Sequence, residues 1–293
     1  MAALNAETVN LDKRLHAFRP DLADESLRGL VEAERFTTGM PMRIADPVVD
    51  VRSQPRGDAG ITTQFLYGDD VLVFEDDNGW CWVQNERDGY VGYVVDTTLD
   101  LRTDEPTHIV IAPRTFVYPG SDLKFPRTKA LSMGSLVTVT GGQERRGTLY
   151  AMLPSGEAII AKHLVPIDEV TDDHVAVAET LMHTPYLWGG VSGFGIDCSG
   201  LIQLSLLMTG QGVLRDSDMQ AASIGELIEP DKDYHNLQRG DFLFWTGHAA
   251  MMASHSMVLH ASGHTMSVTL EPLRETIERI AYLYGKPTAV RRL

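Results

Sequence analysis

The stretch from Tyr186 to Gln203 constrains the fold more than any other, because a glycine-rich loop runs directly into an apolar segment there. The two parts meet at Cys198, which follows glycines at positions 189, 190, 193 and 195. The apolar segment has the composition of a packed helix and comprises Leu201, Ile202, Leu204, Leu206, Leu207 and Met208. Cys198 is therefore expected at a helix N-terminus, where unpaired N–H groups and the helix dipole favour a thiolate that is nucleophilic near neutral pH.

The neighbours of Cys198 decide between a catalytic and a packing role. A lone cysteine is most often a small buried apolar residue. The flanking Asp197, Ser199 and Gly200 are too polar and too rich in glycine for a packed core position. We therefore interpret Cys198 as a catalytic nucleophile, which requires an imidazole base from elsewhere in the chain.

Length, charge and cysteine content limit the class of protein. The chain has 293 residues and a net charge of −15, which predict two or three domains and argue against nucleic acid as a partner. We find no secretory signal at the N-terminus, and no apolar run approaches the roughly 20 residues that span a bilayer. The two cysteines, Cys81 and Cys198, are most simply interpreted as free thiols in a reducing compartment. We expect a cytoplasmic protein without a membrane partner.

Short alternating runs broken by turns follow the first 40 residues. Five or six of them precede residue 103, with a turn at Asp76–Gly79, and this pattern predicts a small β-barrel. The pattern recurs, because Gly134–Val139 follows Gly68–Val73 by 66 residues and resembles it. We therefore predict two tandem barrels, at residues 41–103 and 104–166.

The segments on either side of the barrels have other patterns. Residues 1–40 are interpreted as an N-terminal arm with a helix from Asp24 to Phe36, lying on the barrel that follows. Residues 167–293 predict helices first and an antiparallel sheet second, which is an α+β domain. The predicted helices there are 168–182, one that begins at Cys198, and 217–226, and the predicted strands are 241–245, 248–252, 256–261 and 266–270.

Two of the ten histidines have positions that suit a catalytic base. His248 follows the strand and turn that end at Gly247 and opens the next strand, so it is expected at an end of the sheet. His260 lies twelve residues further on, a separation that can bring two side chains together on one face of neighbouring strands. We predict a line from Cys198 through His248 to His260, with a hydrogen bond between the two histidines.

A zinc site is the competing hypothesis for the same region. It would use His183, His248, His260 and Asp241 as ligands. No H-E-x-x-H motif and no closely spaced pair of cysteines accompanies these residues, so the spacing disfavours a metal. We expect a site that needs neither metal nor cofactor.

Several motifs, in the same order along the chain, resemble those of the NlpC/P60 cysteine peptidases, which have a papain-like core. They are Pro185-Tyr186-Leu187-Trp188-Gly189-Gly190, Gly195-Ile196-Asp197-Cys198-Ser199-Gly200-Leu201, Gly240-Asp241-Phe242-Leu243-Phe244-Trp245 with Gly247-His248, and His260-Ala261-Ser262. The barrels resemble tandem bacterial SH3-like domains, most clearly at Gly79-Trp80-Cys81-Trp82-Val83 and Asp88-Gly89-Tyr90-Val91-Gly92-Tyr93-Val94. The resemblance implies an α+β fold, in which two small SH3-like β-barrels precede a papain-like NlpC/P60 catalytic domain at 167–293.

The resemblance also assigns the catalytic roles. It implies that Cys198 is the nucleophile, that His248 is the general base and then the acid, and that His260 orients His248. Tyr186 matches the tyrosine that helps to bind the oxyanion in such enzymes. A phenol donor together with the backbone N–H of Cys198 would suit the charge on a tetrahedral intermediate.

Four further residues are implied to bind substrate. Asp197 matches the carboxylate that pairs with the free amino group of an N-terminal L-Ala, and Ser199 lies on the other side of the nucleophile. Ser217 stands where a substrate-contacting serine is expected. Tyr90 is the best match for a barrel tyrosine that closes the amine pocket. A buried carboxylate left unpaired by a blocked peptide would penalise that substrate.

The function implied is that of a cysteine peptidase, whose partner is a small peptide of the L-Ala-γ-D-Glu-diaminopimelate type. It would hydrolyse the γ-D-Glu–diaminopimelate (or Lys) bond in recycling of cell-wall peptides. Two alternatives remain open. One is a protein that binds cell-wall fragments and carries an inactive or regulatory peptidase domain. The other is an acyltransferase that uses the same thiol.

Overall fold

The N-terminal arm lies ahead of the barrels as an extended segment. The structure, a computed structural model, describes residues 11–293. The arm contains two short parallel strands, β1 (Leu22–Asp24) and β2 (Arg35–Thr37), with a 3-10 helix at Glu25–Leu27 between them. The predicted helix from Asp24 to Phe36 is wrong, because Gly29 takes a φ of +86°, which no α-helix contains. The part of the arm before residue 11 lies outside the described residues.

The first barrel is one seven-stranded antiparallel sheet. Its strands are β3 (Met40–Ile44), β4 (Val48–Arg52), β5 (Ile61–Leu66), β6 (Asp70–Asp77), β7 (Trp80–Asn85), β8 (Val91–Val95) and β9 (Leu99–Leu101). They pair in the order β5-β4-β8-β7-β6-β3-β9. The predicted turn is confirmed as a tight hairpin between β6 and β7, because Asn78 and Gly79 both take positive φ angles. Val51, Val71, Val83 and Val94 form the centre of its core.

A second β-unit follows, which the sequence interprets as the second barrel. Its strands are β10 (His108–Val110), β11 (Arg114–Tyr118), β12 (Lys129–Ser132), β13 (Leu136–Val137), β14 (Gly141–Arg145), β15 (Thr148–Met152), β16 (Ala158–Ile160) and β17 (Leu164–Pro166). They form a three-stranded sheet, β13-β10-β17, and a five-stranded sheet, β12-β11-β16-β15-β14. The unit contacts the first barrel where Leu136 N–H donates to the carbonyl of Tyr67.

The C-terminal domain packs helices against both faces of an antiparallel sheet, with the first two helices on one face and the last helix on the other. Its elements are α1 (His174–Thr180), β18 (Val191–Ser192), β19 (Gly195–Ile196), α2 (Cys198–Leu207), α3 (Ser217–Ser223), β20 (Glu226–Leu227), β21 (Phe242–Trp245), β22 (His248–Met252), β23 (Met257–Ser262), β24 (Ser267–Pro272), α4 (Leu273–Tyr284) and β25 (Ala289–Arg292). The six-stranded sheet has the order β20-β25-β21-β22-β23-β24. The predicted helix at Cys198 and the four predicted strands are confirmed, whereas α4 and β25 were not predicted.

Buried apolar side chains join α2 to this sheet. Leu201, Ile202 and Leu206 of α2 share a core with Met251 of β22 and Leu259 of β23. This packing places the first turn of α2 beside the start of β22. No helix within residues 11–293 has both the length and the apolar character required to cross a bilayer.

The first barrel lies against the C-terminal domain through polar contacts. Thr63 Oγ1 of β5 accepts a hydrogen bond of 2.8 Å from Arg215, and Asp88 accepts one of 2.9 Å from Gln203 of α2. The backbone N–H of Val191 donates to Gln64 of β5. The barrel therefore forms one wall of the region around Cys198.

Candidate active site

Cys198 is the first residue of α2 and is 7% exposed. Asp197 caps this helix, because its carboxylate accepts a hydrogen bond of 2.8 Å from the N–H of Gly200. A Cβ atom at Gly200 would overlap the carbonyl oxygen of Gly190 in the preceding loop. The glycine next to the nucleophile is therefore needed for the loop to pack against the helix.

Burial controls the protonation of the Cys198 thiol. It raises the pKa to about 12, and the negative charge of Asp197 acts in the same direction. This rise in pKa is opposed, but not cancelled, by the N–H of Ala249, the charge of Arg215 and the N–H of Ser199. A neutral thiol that a base must deprotonate therefore fits these surroundings better than the thiolate that a helix N-terminus was expected to favour near neutral pH.

The predicted pair of histidines is brought together, and a third residue extends it. His248 Nε2 lies 2.8 Å from His260 Nδ1, as the strand pattern predicted. His260 is 1% exposed, and its Nε2 lies 2.6 Å from Glu271 Oε2 on β24. Arg279 of α4 donates to the same carboxylate oxygen of Glu271. The strands β22, β23 and β24 and the helix α4 thus supply a continuous chain of side-chain contacts.

This line determines the tautomer of each neutral imidazole. A carboxylate only accepts hydrogen bonds, so the Nε2 of His260 carries the proton that Glu271 receives. Nδ1 of His260 is then an acceptor and receives the Nε2 proton of His248. Nδ1 of His248 is left as the unprotonated, basic nitrogen, the form that a general base requires.

His248 stays neutral in the resting protein. Burial, followed by the charges of His260 and Arg279, lowers its pKa to about 3, against the opposing charge of Glu271. The strand β22 begins beside the nucleophile, because the N–H of Ala249 points at the Cys198 sulphur. The resting pair is therefore a neutral thiol and a neutral imidazole.

Tyr186 lies close to the thiol. Its main chain bridges to Ile196, and the N–H of Leu187 donates to the carbonyl of Ile196, two residues before the nucleophile. Burial first, and then the charges of Cys198 and Asp197, raise the pKa of the Tyr186 phenol. The phenol therefore keeps its proton and remains a hydrogen-bond donor, as the proposed oxyanion contact requires.

The structure contradicts the expectation that Asp197 is available to a substrate amine. Arg215, which is 1% exposed, binds both of its oxygens at 2.6 and 3.0 Å. The N–H groups of Gly189 and Gly200 and the hydroxyl of Ser199 donate to it as well. Asp197 is a fully paired cap, and Ser199 is engaged with it, since Arg215 Nη1 also donates to Ser199 Oγ at 2.7 Å.

A different carboxylate faces the barrel tyrosine. Tyr90 is 4% exposed, and its hydroxyl donates to Asp216 Oδ2 at 3.2 Å. Ser217 follows as the first residue of α3 and is half-buried. Sequence reasoning missed Asp216, Arg215 and Glu271. Asp216 directly precedes a predicted helix start, which was a usable signal, whereas nothing local marks the buried Arg215.

The residues of the zinc hypothesis are not gathered into one site. Asp241 is bound by Arg292 at 2.6 and 2.7 Å, and His183 is exposed with a φ of +65°. Within residues 11–293, no three His, Cys, Asp or Glu side chains are arranged to hold a metal ion.

A helix that begins with a cysteine, packed on an antiparallel sheet that supplies a histidine, is the arrangement of papain-like cysteine peptidases, and here a second histidine is the third member. Residues 183–284 match the model of the NlpC/P60 family, and residues 51–99 match that of the bacterial dipeptidyl-peptidase SH3 domain. The chain therefore contains an NlpC/P60 cysteine peptidase domain, with an SH3-like domain ahead of it.

Three similar proteins match this chain over most of its length. The chain is 27% identical to a γ-D-glutamyl-L-lysine dipeptidyl-peptidase of Bacillus subtilis, over 74% of this chain and 77% of that protein. It is 26% identical to dipeptidyl-peptidase 6 of Lysinibacillus sphaericus, over 78% of this chain and 90% of that protein. A crystal structure of an NlpC/P60 family protein from Bacillus cereus has the same fold, with a TM-score of 0.71 at 21% identity, covering 86% of this chain and 99% of that one.

Proposed function

We propose that this protein is a cysteine peptidase that hydrolyses the γ-D-Glu–diaminopimelate or γ-D-Glu–Lys bond of short cell-wall peptides with a free N-terminal L-Ala. The line from His248 through His260 to Glu271, which begins beside Cys198, carries the proposal. It supplies the oriented base that a neutral thiol needs. The names of the two relatives support the bond and the release of a dipeptide.

The proposed reaction follows from the protonation states. His248 Nδ1 takes the proton of Cys198 as the sulphur attacks the γ-carbonyl carbon of D-Glu. Tyr186 and the N–H of Cys198 stabilise the oxygen that becomes negative. The protonated His248 then gives its proton to the amine of the departing diamino acid, and a thioester remains on Cys198. Water, deprotonated by the same imidazole, hydrolyses the thioester and releases L-Ala-γ-D-Glu.

Asp216 replaces Asp197 as the proposed partner of the substrate amine. Its carboxylate faces Tyr90 of the first barrel, and it directly follows Arg215, which contacts Ser199 beside the nucleophile. A blocked amine would leave this partly buried carboxylate without its ligand, which penalises that substrate. Ser217, next in the chain, stays a proposed substrate contact.

A recycling role in the cytoplasm is part of the proposal. Cys81 and Cys198 are both free and buried, which agrees with a reducing compartment. A free N-terminal L-Ala is a property of released peptides rather than of intact cell wall, where the amino group is blocked. An enzyme that selects for this amine would therefore act after other hydrolases.

Mass spectrometry of L-Ala-γ-D-Glu-meso-diaminopimelate incubated with the protein tests the proposal. Release of diaminopimelate by the wild type and not by Cys198→Ala is expected, and the N-acetylated tripeptide should stay uncut. Cleavage of both peptides would refute the amine requirement and leave the peptidase standing. Tight binding without any cleavage would favour the alternative of a binding protein with an inactive peptidase domain.

A further inference from the structure

The N-terminal arm reaches the carboxylate proposed to bind the substrate amine. Arg14 Nη1 donates to Asp216 Oδ2 at 2.8 Å, and its Nη2 donates to Asp218 at 2.8 Å. Asp12 holds the same guanidinium from within the arm, through a hydrogen bond of 2.7 Å. A residue 202 positions away in the sequence therefore contacts the proposed substrate pocket.

The arm is anchored in place by the first barrel. The N–H of Val91 donates to the carbonyl of Arg14 at 2.8 Å, and the side chain of Gln84 donates to the carbonyl of Leu15 at 2.8 Å. Val91 is the first residue of β8 and directly follows Tyr90, so the arm and the pocket tyrosine meet at the start of this strand. The position of the guanidinium is thus set by main-chain bonds as well as by its ion pairs.

The two oxygens of Asp216 have different surroundings. Oδ2 receives both Arg14 and the hydroxyl of Tyr90. No group in the described part of the chain donates to Oδ1, and the side chain is 24% exposed. A carboxylate held through one oxygen presents the other in a fixed direction, which is the arrangement that a small ammonium group can use.

The charges around Arg14 favour a second cation. Arg14 is one guanidinium among Asp12, Asp216 and Asp218, so this group of four keeps a net negative charge when all are ionised. Hydrogen bonds from Arg14 are the main cause that lowers the pKa of Asp12 and of Asp218, so both stay charged. The field at Asp216 therefore attracts an ammonium group in spite of the neighbouring arginine.

Burial works against the ionisation of Asp216. It raises the pKa of this carboxyl, while Arg215, Arg14 and the hydroxyl of Tyr90 oppose the shift. Arg215 is already paired with Asp197, which reduces what it contributes to Asp216. Arg14 is the cation that donates a hydrogen bond to the Asp216 carboxylate, and it supports the charged form.

We propose that Arg14 is a positioning residue for substrate binding: it fixes Asp216 through Oδ2 and leaves Oδ1 to the ammonium group of the substrate. This inference rests on the proposed function, since it assigns the arm to the amine pocket of the same site. The guanidinium of Arg14 binds the carboxylates of Asp12, Asp216 and Asp218 and none of the proposed catalytic side chains, so we expect it to affect affinity and not the chemical step.

The test measures binding separately from turnover. Isothermal titration of L-Ala-γ-D-Glu-meso-diaminopimelate into full-length protein carrying Cys198→Ala gives the Kd, and kinetics of the protein with Cys198 intact give KM and kcat. Arg14→Gln removes the charge and shortens the side chain while it keeps a polar amide, and Arg14→Lys restores a cation without the planar guanidinium. Arg28→Gln is the matched control, because Arg28 is an exposed arm residue paired with Glu25.

We expect Arg14→Gln to raise Kd and KM about tenfold, the loss of one charge-assisted hydrogen bond, with kcat changed less than about threefold. Arg14→Lys should recover part of the affinity, and Arg28→Gln should match the wild type. If Arg14→Gln has an unchanged melting temperature and its Kd is unchanged or lower, the inference is overturned. A lower Kd would mean that the arm competes with the substrate. Arginine-dependent binding without turnover by the wild type would refute only the proposed hydrolysis.

Discussion

Replacing Glu271 by glutamine tests whether the carboxylate at the end of the histidine line assists the base. The glutamine side chain is nearly the same size, and its amide oxygen could still accept the Nε2 proton of His260. The substitution therefore keeps the tautomers but removes a negative charge. It also leaves Arg279 without the carboxylate that it binds at 2.5 Å.

The expected size of the effect follows from the distances. When His248 takes the thiol proton it becomes a cation, which the charge of Glu271 stabilises. The path from His248 Nε2 to Glu271 Oε2 joins hydrogen bonds of 2.8 and 2.6 Å across one imidazole ring. It spans at most about 8 Å, and at an effective dielectric constant of about 20 the attraction is about 2 kcal/mol. This corresponds to a loss of about 30-fold in kcat.

Steady-state hydrolysis of the free-amine tripeptide, followed by the release of diaminopimelate, gives kcat and KM for this comparison. We expect KM of Glu271→Gln to stay within about threefold of the wild type, because Glu271 contacts His260 and Arg279 and lies outside the amine pocket. Arg279→Gln is the control, since it removes a partner of Glu271 while it keeps the charge and the bond to His260.

Two results would contradict the reasoning. A wild-type kcat in Glu271→Gln would show that the carboxylate does not stabilise charge on His248. An equal loss in Arg279→Gln would indicate that the packing of α4 on β24, and not the charge, supports the histidines. The lowering effect of Arg279 on the pKa of His248 predicts instead that its removal leaves kcat unchanged or slightly raised.

Three further measurements address other parts of the site. Tyr186→Phe should lower kcat about 100-fold with little change in KM, because it removes one donor to the oxyanion; an unchanged kcat would exclude that role. With the pKa of Cys198 at about 12, alkylation of the free protein by iodoacetamide should accelerate about tenfold per pH unit from about pH 6 to about pH 9. A plateau in that range would instead indicate a thiolate–imidazolium pair. Arg215→Met leaves Asp197 buried without its counter-ion, and should lower the free energy of unfolding by about 3 kcal/mol in urea titrations; a loss below about 1 kcal/mol would contradict the importance of this ion pair.

Local sequence pattern was sufficient to predict that the residues proposed as catalytic lie close together. Cys198 stands where a glycine loop meets an apolar run, and His248 and His260 lie on strands joined by a short turn, so neighbouring positions in sequence become neighbours in space. Glu271 was missed because the predicted strand ended at residue 270. In the structure β24 continues to Pro272 and pairs Glu271 with Val258, so Glu271 lies diagonally across from His260 and its side chain reaches the imidazole.

The hydrophobic pattern of the sequence could not predict ion pairs between residues that are far apart in the chain. The pairing of Arg215 with Asp197 removed the expected amine ligand, and no periodicity relates a loop arginine to a helix cap. The contact of Tyr90 with Asp216 joins residues 126 positions apart in different domains. The wrong helix prediction in the arm could have been avoided from the local sequence, because Gly29 lies inside the predicted helix and glycine is a poor helix former.

The proposed catalytic residues lie in the C-terminal domain, whereas the proposed amine pocket also uses residues of the first barrel and the arm. Cys198, His248, His260 and Glu271 all come from α2 and three adjacent strands of one sheet. Their geometry therefore depends chiefly on the core of the C-terminal domain, to which the first barrel adds Leu66. The proposed amine pocket is assembled differently, since Asp216 comes from the loop before α3, while its partners come from the barrel and the arm. Changes in the arm or barrel can therefore alter which peptide is accepted while the arrangement that breaks the bond is preserved. Such a division explains why the motifs around Cys198 identify the reaction more readily than they identify the substrate.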